Sequence, residues 1–252
     1  MAKSSHLADI VVGIGLSGSR ICWVMRFVGL LAALFLGLPV ASPAADTDEG
    51  FMRIFDGKSL DGWRGKSQFW SVRDGAITGE TTKENPTDGN TFLISQDHAA
   101  DFELRLKVKI VSGNSGIQYR SIDMGGSVVH GYQADVDAAD KFLGDLYEEG
   151  RRGLLAKGCD KVEISEDGND VVIGKTCDPS ELAKALRWQD WNDYRVIAMG
   201  DRLMQEINGI VTVDVIDKER NKARTEGVLA LQLHAGMPML VQFKDIRLKT
   251  LR

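Results

Sequence analysis

The chain is short of cysteine, proline and positive charge, and it has no apolar run long enough to span a bilayer. Lys plus Arg number 31 against 36 Asp plus Glu, so the clustered positive excess that sequence-independent nucleic-acid binding needs is missing. With five prolines there is no Pro- or Ser-rich linker, and no internal repeat is found, which favours one domain over two. The apolar run Phe27–Val40 is uncharged for 14 residues, short of the ~20 that a membrane helix requires. Gly-x-Ser-x-Gly, a phosphate-cradling glycine loop and a dinucleotide fingerprint are all absent, which argues against serine hydrolases, nucleotide enzymes and nicotinamide dehydrogenases. At 43% hydrophobic and 27% charged residues, the composition also excludes disordered, collagenous and low-complexity classes.

The Phe27–Val40 run follows Arg26 and precedes small residues at Ser42 and Ala44, the pattern of a secretory signal cleaved at or just after Ala44. The competing reading is an uncleaved anchor. Met25-Arg26 would make an ordinary beginning for such a signal, so residues 1–24 read as an upstream start. The expectation is an exported protein, periplasmic or extracellular, not embedded in the membrane, with residues 46–252 as its domain. Loss of Lys3, Arg20, Arg26 and Asp9 takes the net charge from −5 to −7, compatible with a neutral saccharide partner. Cys22 leaves with the signal. In an oxidising compartment Cys159 and Cys177 are expected to form a disulfide, zinc being the weaker reading because no further Cys or His lies at metal-motif spacing.

What remains is rich in period-2 alternation. Phe102, Leu104, Leu106, Val108 and Ile110 alternate with Glu103, Arg105, Lys107 and Lys109, the signature of a half-buried strand. Eleven further strands are expected at 70–72, 76–77, 92–95, 116–120, 132–137, 171–175, 194–199, 203–207, 210–215, 228–234 and 241–248. Asp74-Gly75 and Asn208-Gly209 supply the positive-φ pairs of tight hairpins. One helix is signposted by Asp178 as N-cap, Pro179 at the first helical position and Glu181. About a dozen strands with so little helix fit an all-β protein of two stacked sheets, a jelly-roll sandwich.

The same alternation sorts polar side chains onto faces. Gln133, Asp135 and Asp137 share one side of their strand, Gln118 and Arg120 one side of theirs, and Gln232 and His234 one side of a third. If these faces belong to one sheet, they form a polar surface suited to sugar hydroxyls. Asp135 and Asp137 repel each other, which a divalent metal ion or a raised carboxyl pKa would relieve. Leu146–Arg152, with Tyr147, Glu148 and Glu149, reads as a charged loop at a cleft rim. His98, His130 and His234 are the proton-transfer candidates, with His130 and His234 favoured.

Several motifs in order resemble one family: Phe55-Asp56-Gly57-Lys58-Ser59-Leu60-Asp61-Gly62-Trp63, Gly113-Asn114-Ser115-Gly116-Ile117, Gly131-Tyr132-Gln133-Ala134-Asp135, Leu146-Tyr147-Glu148, Leu231-Gln232-Leu233-His234 and Phe243-Lys244-Asp245-Ile246. They are similar to the secreted bacterial 3-keto-disaccharide hydrolase domain, associated with 3-keto-glucoside 1,2-lyase and 3-keto-2-hydroxyglucal hydratase activities. The resemblance implies a concanavalin A-like jelly roll and cleavage of 3-keto-glycosides by C2 proton abstraction and β-elimination at C1. It also implies an upstream sugar 3-dehydrogenase that supplies the keto sugar. Many members carry Gly-Tyr-Glu with Gln two residues later; this chain has Gln133 and Asp135 there. On this basis His130 or His234 is expected as base or acid, Asp135 and Glu148 as acid or metal ligand, and Arg120 as enolate or sugar clamp. Gln133, Gln232, Tyr147 and Asn114 are expected to bind substrate. Two other readings stand beside this one: a non-catalytic carbohydrate-binding module, and a two-carboxylate glycosidase drawing on Asp135, Asp137, Glu148 and Glu149.

Overall fold

The structure, a computed structural model, describes residues 49–139 and 141–251. The signal reading of residues 1–45 lies outside them. Among the described residues there are seventeen strands and one helix. The first ten strands are β1 (Met52–Arg53), β2 (Trp63–Arg64), β3 (Trp70–Arg73), β4 (Ala76–Thr81), β5 (Thr91–Ala99), β6 (Phe102–Ser112), β7 (Asn114–Gly125), β8 (Val128–Asp137), β9 (Leu146–Glu149) and β10 (Gly153–Ala156). They are followed by β11 (Asp160–Ile164), β12 (Asp170–Lys175), helix α1 (Pro179–Ala185), β13 (Asn192–Met199), β14 (Arg202–Ile207), β15 (Ile210–Asp217), β16 (Gly227–Leu233) and β17 (Met239–Thr250). All twelve expected strands are present. The five that were not expected are short or charged, so their alternation carries too few apolar positions to register.

The strands form two sheets. One has ten strands in the order β12-β11-β15-β14-β13-β6-β17-β4-β3, with β1 added beside β17; the other has seven in the order β10-β9-β8-β7-β16-β5-β2. All pairings are antiparallel except β11 with β15. Alternation dictates the packing: Phe102, Leu104, Leu106 and Val108 of β6 are buried with Ile117 and Tyr119 of β7, Tyr132, Ala134 and Val136 of β8, and Leu229, Leu231 and Leu233 of β16 in one core. The protein is thus an all-β, two-sheet jelly roll. Among the described residues no helix is long and apolar enough to cross a membrane.

Local signals act as written. Asp74 and Gly75 take φ of 52° and 74°, and Asn208 and Gly209 take 51° and 85°, the doubly positive pattern of tight hairpins. The Asp178 side chain accepts from the Ser180 N–H at 2.7 Å and caps α1, whose Leu182 is buried. Cys159 and Cys177 are disulfide-bonded, with Cα atoms 4.8 Å apart, closing the open end of the β11–β12 hairpin just before α1.

The stretch expected as a charged loop, 146–152, is instead the start of the β9–β10 hairpin. Its strands are only four residues each, and an ion cluster holds them. Arg152 donates Nε to Glu148, Nη2 to Asp217 at 2.6 Å and Nη1 to Glu219 at 2.9 Å. The Tyr132 hydroxyl donates to the same Asp217 at 2.5 Å. The Glu148 and Asp217 side chains are 0% and 1% exposed, and Asp217 ends β15 in the ten-stranded sheet, so the cluster joins the two sheets. Burial opposes ionisation of Asp217, but the hydrogen bonds from Arg152 and Tyr132 prevail and hold its carboxyl below the usual range. Arg152→Ala is expected to cost about 3–5 kcal/mol, because it leaves the buried Asp217 without its counter-charge, while Glu148 and Glu219 keep Arg151 and Lys222. Urea unfolding checks this, and a loss under about 1 kcal/mol would mean that the carboxylates are solvated.

Candidate functional site

The face of the seven-stranded sheet turned away from the core carries the polar residues. Tyr147 pairs opposite Gln133, Gln133 opposite Gln118, and Gln118 opposite Ala230, so one row of side chains crosses β9, β8, β7 and β16. In the next row Asp135 pairs opposite Gly116. A Cβ on Gly116 would lie 2.2 Å from Gln133 Cδ, so only glycine lets Gln133 lie across this floor. Part of the face is closed by a small apolar cluster of Phe92, Ile94, Val129, Val228 and Ala230, with Phe92 N–H donating to the Ser127 carbonyl at the β7–β8 tip. The rest is open as a cleft of about 330 Å³, of a size to hold a sugar.

Two carboxyl groups stand in this cleft. Glu149 is gripped by amides: Asn90 Nδ2 donates to Oε1 at 3.0 Å and Gln232 Nε2 to Oε2 at 3.2 Å. The oxygen of that amide, Gln232 Oε1, is buried without a partner among the described residues, an acceptor waiting for a donor such as a hydroxyl. Asp135 is 6% exposed, and its Oδ1 accepts from Gln133 Nε2 at 2.6 Å. Burial pushes its pKa up to about 8; the Gln133 bond lowers it, while the charges of Asp145, Glu149 and Asp137 add to the rise. Asp135 is therefore protonated near neutrality. Asp145, nearby, is raised to about 6, again chiefly by burial and against a hydrogen bond from the Gly158 N–H.

His234 lines the cleft from the end of β16, with Nδ1 2.6 Å from the Ala235 carbonyl. A carbonyl only accepts, so in the neutral ring it is Nδ1 that carries the proton and Nε2 that has the lone pair. Asn114 and Tyr147 complete the polar lining, and Phe142 and Leu154, 41% and 45% exposed, form its apolar part.

The cleft thus brings together Asp135, Gln133, Gln232, Tyr147, Asn114 and His234, and not Arg120, His130, Glu148 or Asp137. Arg120 falls at a register shift in β7 and takes φ 46°, so the alternation that would aim it outward fails there. Its buried guanidinium is saturated by Asp101 at 2.8 Å and by the carbonyls of Ala100, Gly200 and Arg224, which makes it a clamp between turns rather than a sugar or enolate ligand. His130, on β8 with the parity of Tyr132, packs its ring on Gly150. Glu148 points to the ion cluster, because alternation along β9 sends Tyr147 and Glu149 to the cleft and Leu146 and Glu148 inward. Asp137 spends its oxygens on the N–H groups of Ala139, Lys141 and Phe142, so the reading of Asp135 and Asp137 as an ion site gives way to a loop anchor. Among the described residues no three His, Cys, Asp or Glu side chains are grouped to hold a metal ion. His98 is exposed on β5, opposite Val228. Asn90, Phe142 and Leu154 enter from loops and a short strand that no periodic signal marks. Glu149, expected as one of four candidate carboxylates of a glycosidase, does line the cleft, where the alternation of β9 puts it.

The raised pKa of Asp135 has a consequence for stability. Between the unfolded carboxyl value of 3.8 and about 8 the folded state holds the extra proton, so its contribution to stability falls as pH rises through that window. Asp135→Asn removes the burial penalty of the ionised form. The variant is expected to gain about 5 °C in Tm relative to the parent at pH 9 and much less at pH 5. An equal difference at both pH values would mean that Asp135 ionises as in water.

Comparison with known proteins places this geometry. Residues 50–249 match the model of the 3-keto-alpha-glucoside-1,2-lyase-like domain. A 3-keto-disaccharide hydrolase of Bacteroides thetaiotaomicron is 35% identical over 79 residues, which is 28% of this chain and 27% of that protein. Among solved structures, a putative glycosyl hydrolase of Parabacteroides distasonis superposes with a TM-score of 0.53 at 18% identity, over 81% of this chain and 95% of that one. The carbohydrate binding module CBM66 of Bacillus subtilis superposes at 0.50 with 19% identity, over 75% and 96%. A protein of unknown function with a galectin-like fold from Bacillus subtilis also superposes at 0.50, with 11% identity over 76% and 90%. These likenesses speak for the fold. Since the family match covers nearly all of the described residues, the chain belongs to the 3-keto-alpha-glucoside-1,2-lyase-like domain family.

Proposed function

We propose that this domain cleaves 3-keto-glycosides by elimination, with Asp135 as general acid and His234 as base. Family membership supports the substrate class, and the cleft supports the chemistry. A ketone at C3 acidifies the C2 hydrogen. His234 Nε2 takes that proton, the electrons of the C2–H bond form an enolate with the C3 oxygen, and the enolate collapses to a C1–C2 double bond as the C1–O bond breaks. Asp135 gives its proton to the departing oxygen. Addition of water across the double bond then completes a net hydrolysis.

The observation that carries this reading is a carboxyl held protonated near neutral pH in the same cleft as an imidazole with a free lone pair. The amides have the matching task of binding hydroxyls: Gln232 Oε1 accepts from one, and Gln133 and Asn114 offer further partners. Among the described residues no lysine or arginine lines the cleft, so in this reading the enolate oxygen is met by neutral donors, the Asn114 amide and the Tyr147 hydroxyl.

Matched plain and 3-keto glucosides, incubated with the full chain, test the reaction class by aglycone release and enone absorbance. Release from the keto sugar alone is expected. Release from both would indicate a two-carboxylate glycosidase, and binding without release a carbohydrate-binding module. The role of Asp135 is tested by leaving group. Asp135→Asn is expected to slow alkyl aglycones about 10²–10⁴-fold while slowing a nitrophenol, which departs without a proton, by less than about 10-fold. The decline of the parent's kcat/KM above pH ~8 should vanish in the variant. Equal slowing of both aglycones would remove Asp135 as the acid.

A further inference from the structure

Gln118 does not line the cleft and is wholly buried, yet it sits in a directional chain of hydrogen bonds. Ser121 Oγ donates to Gln118 Oε1 at 2.8 Å, Gln118 Nε2 to Gln133 Oε1 at 2.7 Å, and Gln133 Nε2 to Asp135 Oδ1 at 2.6 Å. Each amide has one accepting and one donating end, so the orientation of the first dictates that of the second. Two glycines make room for the chain: a Cβ on Gly116 would strike Gln133, and one on Gly131 would lie 2.4 Å from Ser121 Oγ.

We infer that Gln118 is a positioning residue for the acid: by holding Gln133 with its NH₂ toward Oδ1, it confines the proton of Asp135 to Oδ2. An oxygen that accepts from Gln133 cannot also carry a proton aimed along that bond. The Gln133 bond ends on Oδ1, and Asp135 lines the cleft, so Oδ2 is the oxygen left to serve a ligand. With the opposite sense of the chain, Asp135 would donate from Oδ1 to Gln133 Oε1, and its proton would be spent inside the protein. Ser121 Oγ lies 3.2 Å from the Tyr119 carbonyl and 2.8 Å from Gln118 Oε1, and the sense of the chain is that in which its proton goes to the nearer acceptor, Gln118.

The inference rests on Asp135 being the acid of the proposed function, and its test has a readout that needs no turnover. Asp135 is faced by Asp137 on its own strand, Asp145 from the loop before β9, Glu149 from β9, Tyr194 from β13 beneath and His234 across the cleft. The variants keep all of these groups. In Gln118→Met the amide of Gln133 is no longer oriented. In Gln118→Leu, a second apolar replacement of similar size that adds no charge beside Asp135, the same orienting donor is lost, so agreement of the two variants separates orientation from the packing of either side chain.

Carboxyl ¹³C titration of the full chain, with Asp135→Asn for assignment, is expected to show the Asp135 midpoint rising by about one pH unit in both variants, because the bond that favoured its ionised form is lost. On 3-keto substrates kcat should fall about 10-fold with KM unchanged, and only for aglycones that need a proton. An unmoved midpoint in both variants would show that the chain already runs the other way and overturns the inference. A moved midpoint without any keto-glycoside turnover in the parent would retain the hydrogen-bond control and overturn the proposed function instead.

Discussion

The cleft depends on a charge that it does not contain. Arg152 sits in the turn between two four-residue strands that could not hold themselves against β8 by pairing alone, and its guanidinium binds Glu148 from β9, Asp217 from β15 and Glu219 beyond it. With Glu148 drawn inward, the period of the strand leaves Tyr147 and Glu149 no choice but the outer face. The same ion cluster therefore joins the two sheets and builds one wall of the site. Buried ionic clusters of this kind contribute little net stability over apolar packing, but they specify one arrangement, since any other leaves charge unpaired in the interior.

The opposite wall uses a different economy. Asp135 has no counter-charge, only the Gln133 amide, and other carboxyls lie near it. Desolvation then favours the protonated form, and the fold tolerates the group by keeping it neutral rather than by pairing it. Glu149, on the neighbouring strand β9, is treated the other way, with two amide donors directed at its oxygens. Two carboxyl groups in one cleft are thus given different environments, the arrangement that lets one act as an acid beside a second that is held in place. The glutamine row below them transmits orientation without charge, which is why Gln118, remote from any ligand, bears on the protonation of Asp135.

How much of this was legible follows from where period 2 holds. Gln133, Asp135 and Gln232 were readable as one polar face because β8 and β16 alternate without interruption around them. Arg120 was misplaced because β7 carries an extra residue between Tyr119 and Ile122, where its alternation breaks, whereas His130 lies on the unbroken β8 with the parity of Tyr132 and Ala134, opposite to that of Gln133 and Asp135. Glu148 was misplaced because Leu146-Tyr147-Glu148-Glu149 shows a single apolar residue. Its inward carboxylate is explicable by Arg151 and Arg152, which pair with it from the hairpin turn, Arg152 being held in its turn by Asp217 and Glu219 from 65 or more residues later in the chain. Asp137 looked like a partner for Asp135 and proved to cap its own loop, a local role that composition cannot distinguish from ion binding.

The amino-acid sequence by itself determined the fold class, the two tight hairpins, the cap of α1, the pairing of Cys159 with Cys177 and the family, because each depends on local periodicity, on turn chemistry or on an ordered set of motifs. Only the tertiary structure decided which polar side chains share the cleft, which carboxyl is left without a counter-charge and which arginines are consumed in holding the frame. Those outcomes turn on desolvation and on partners far apart in the chain, and both exist only once the two sheets have packed.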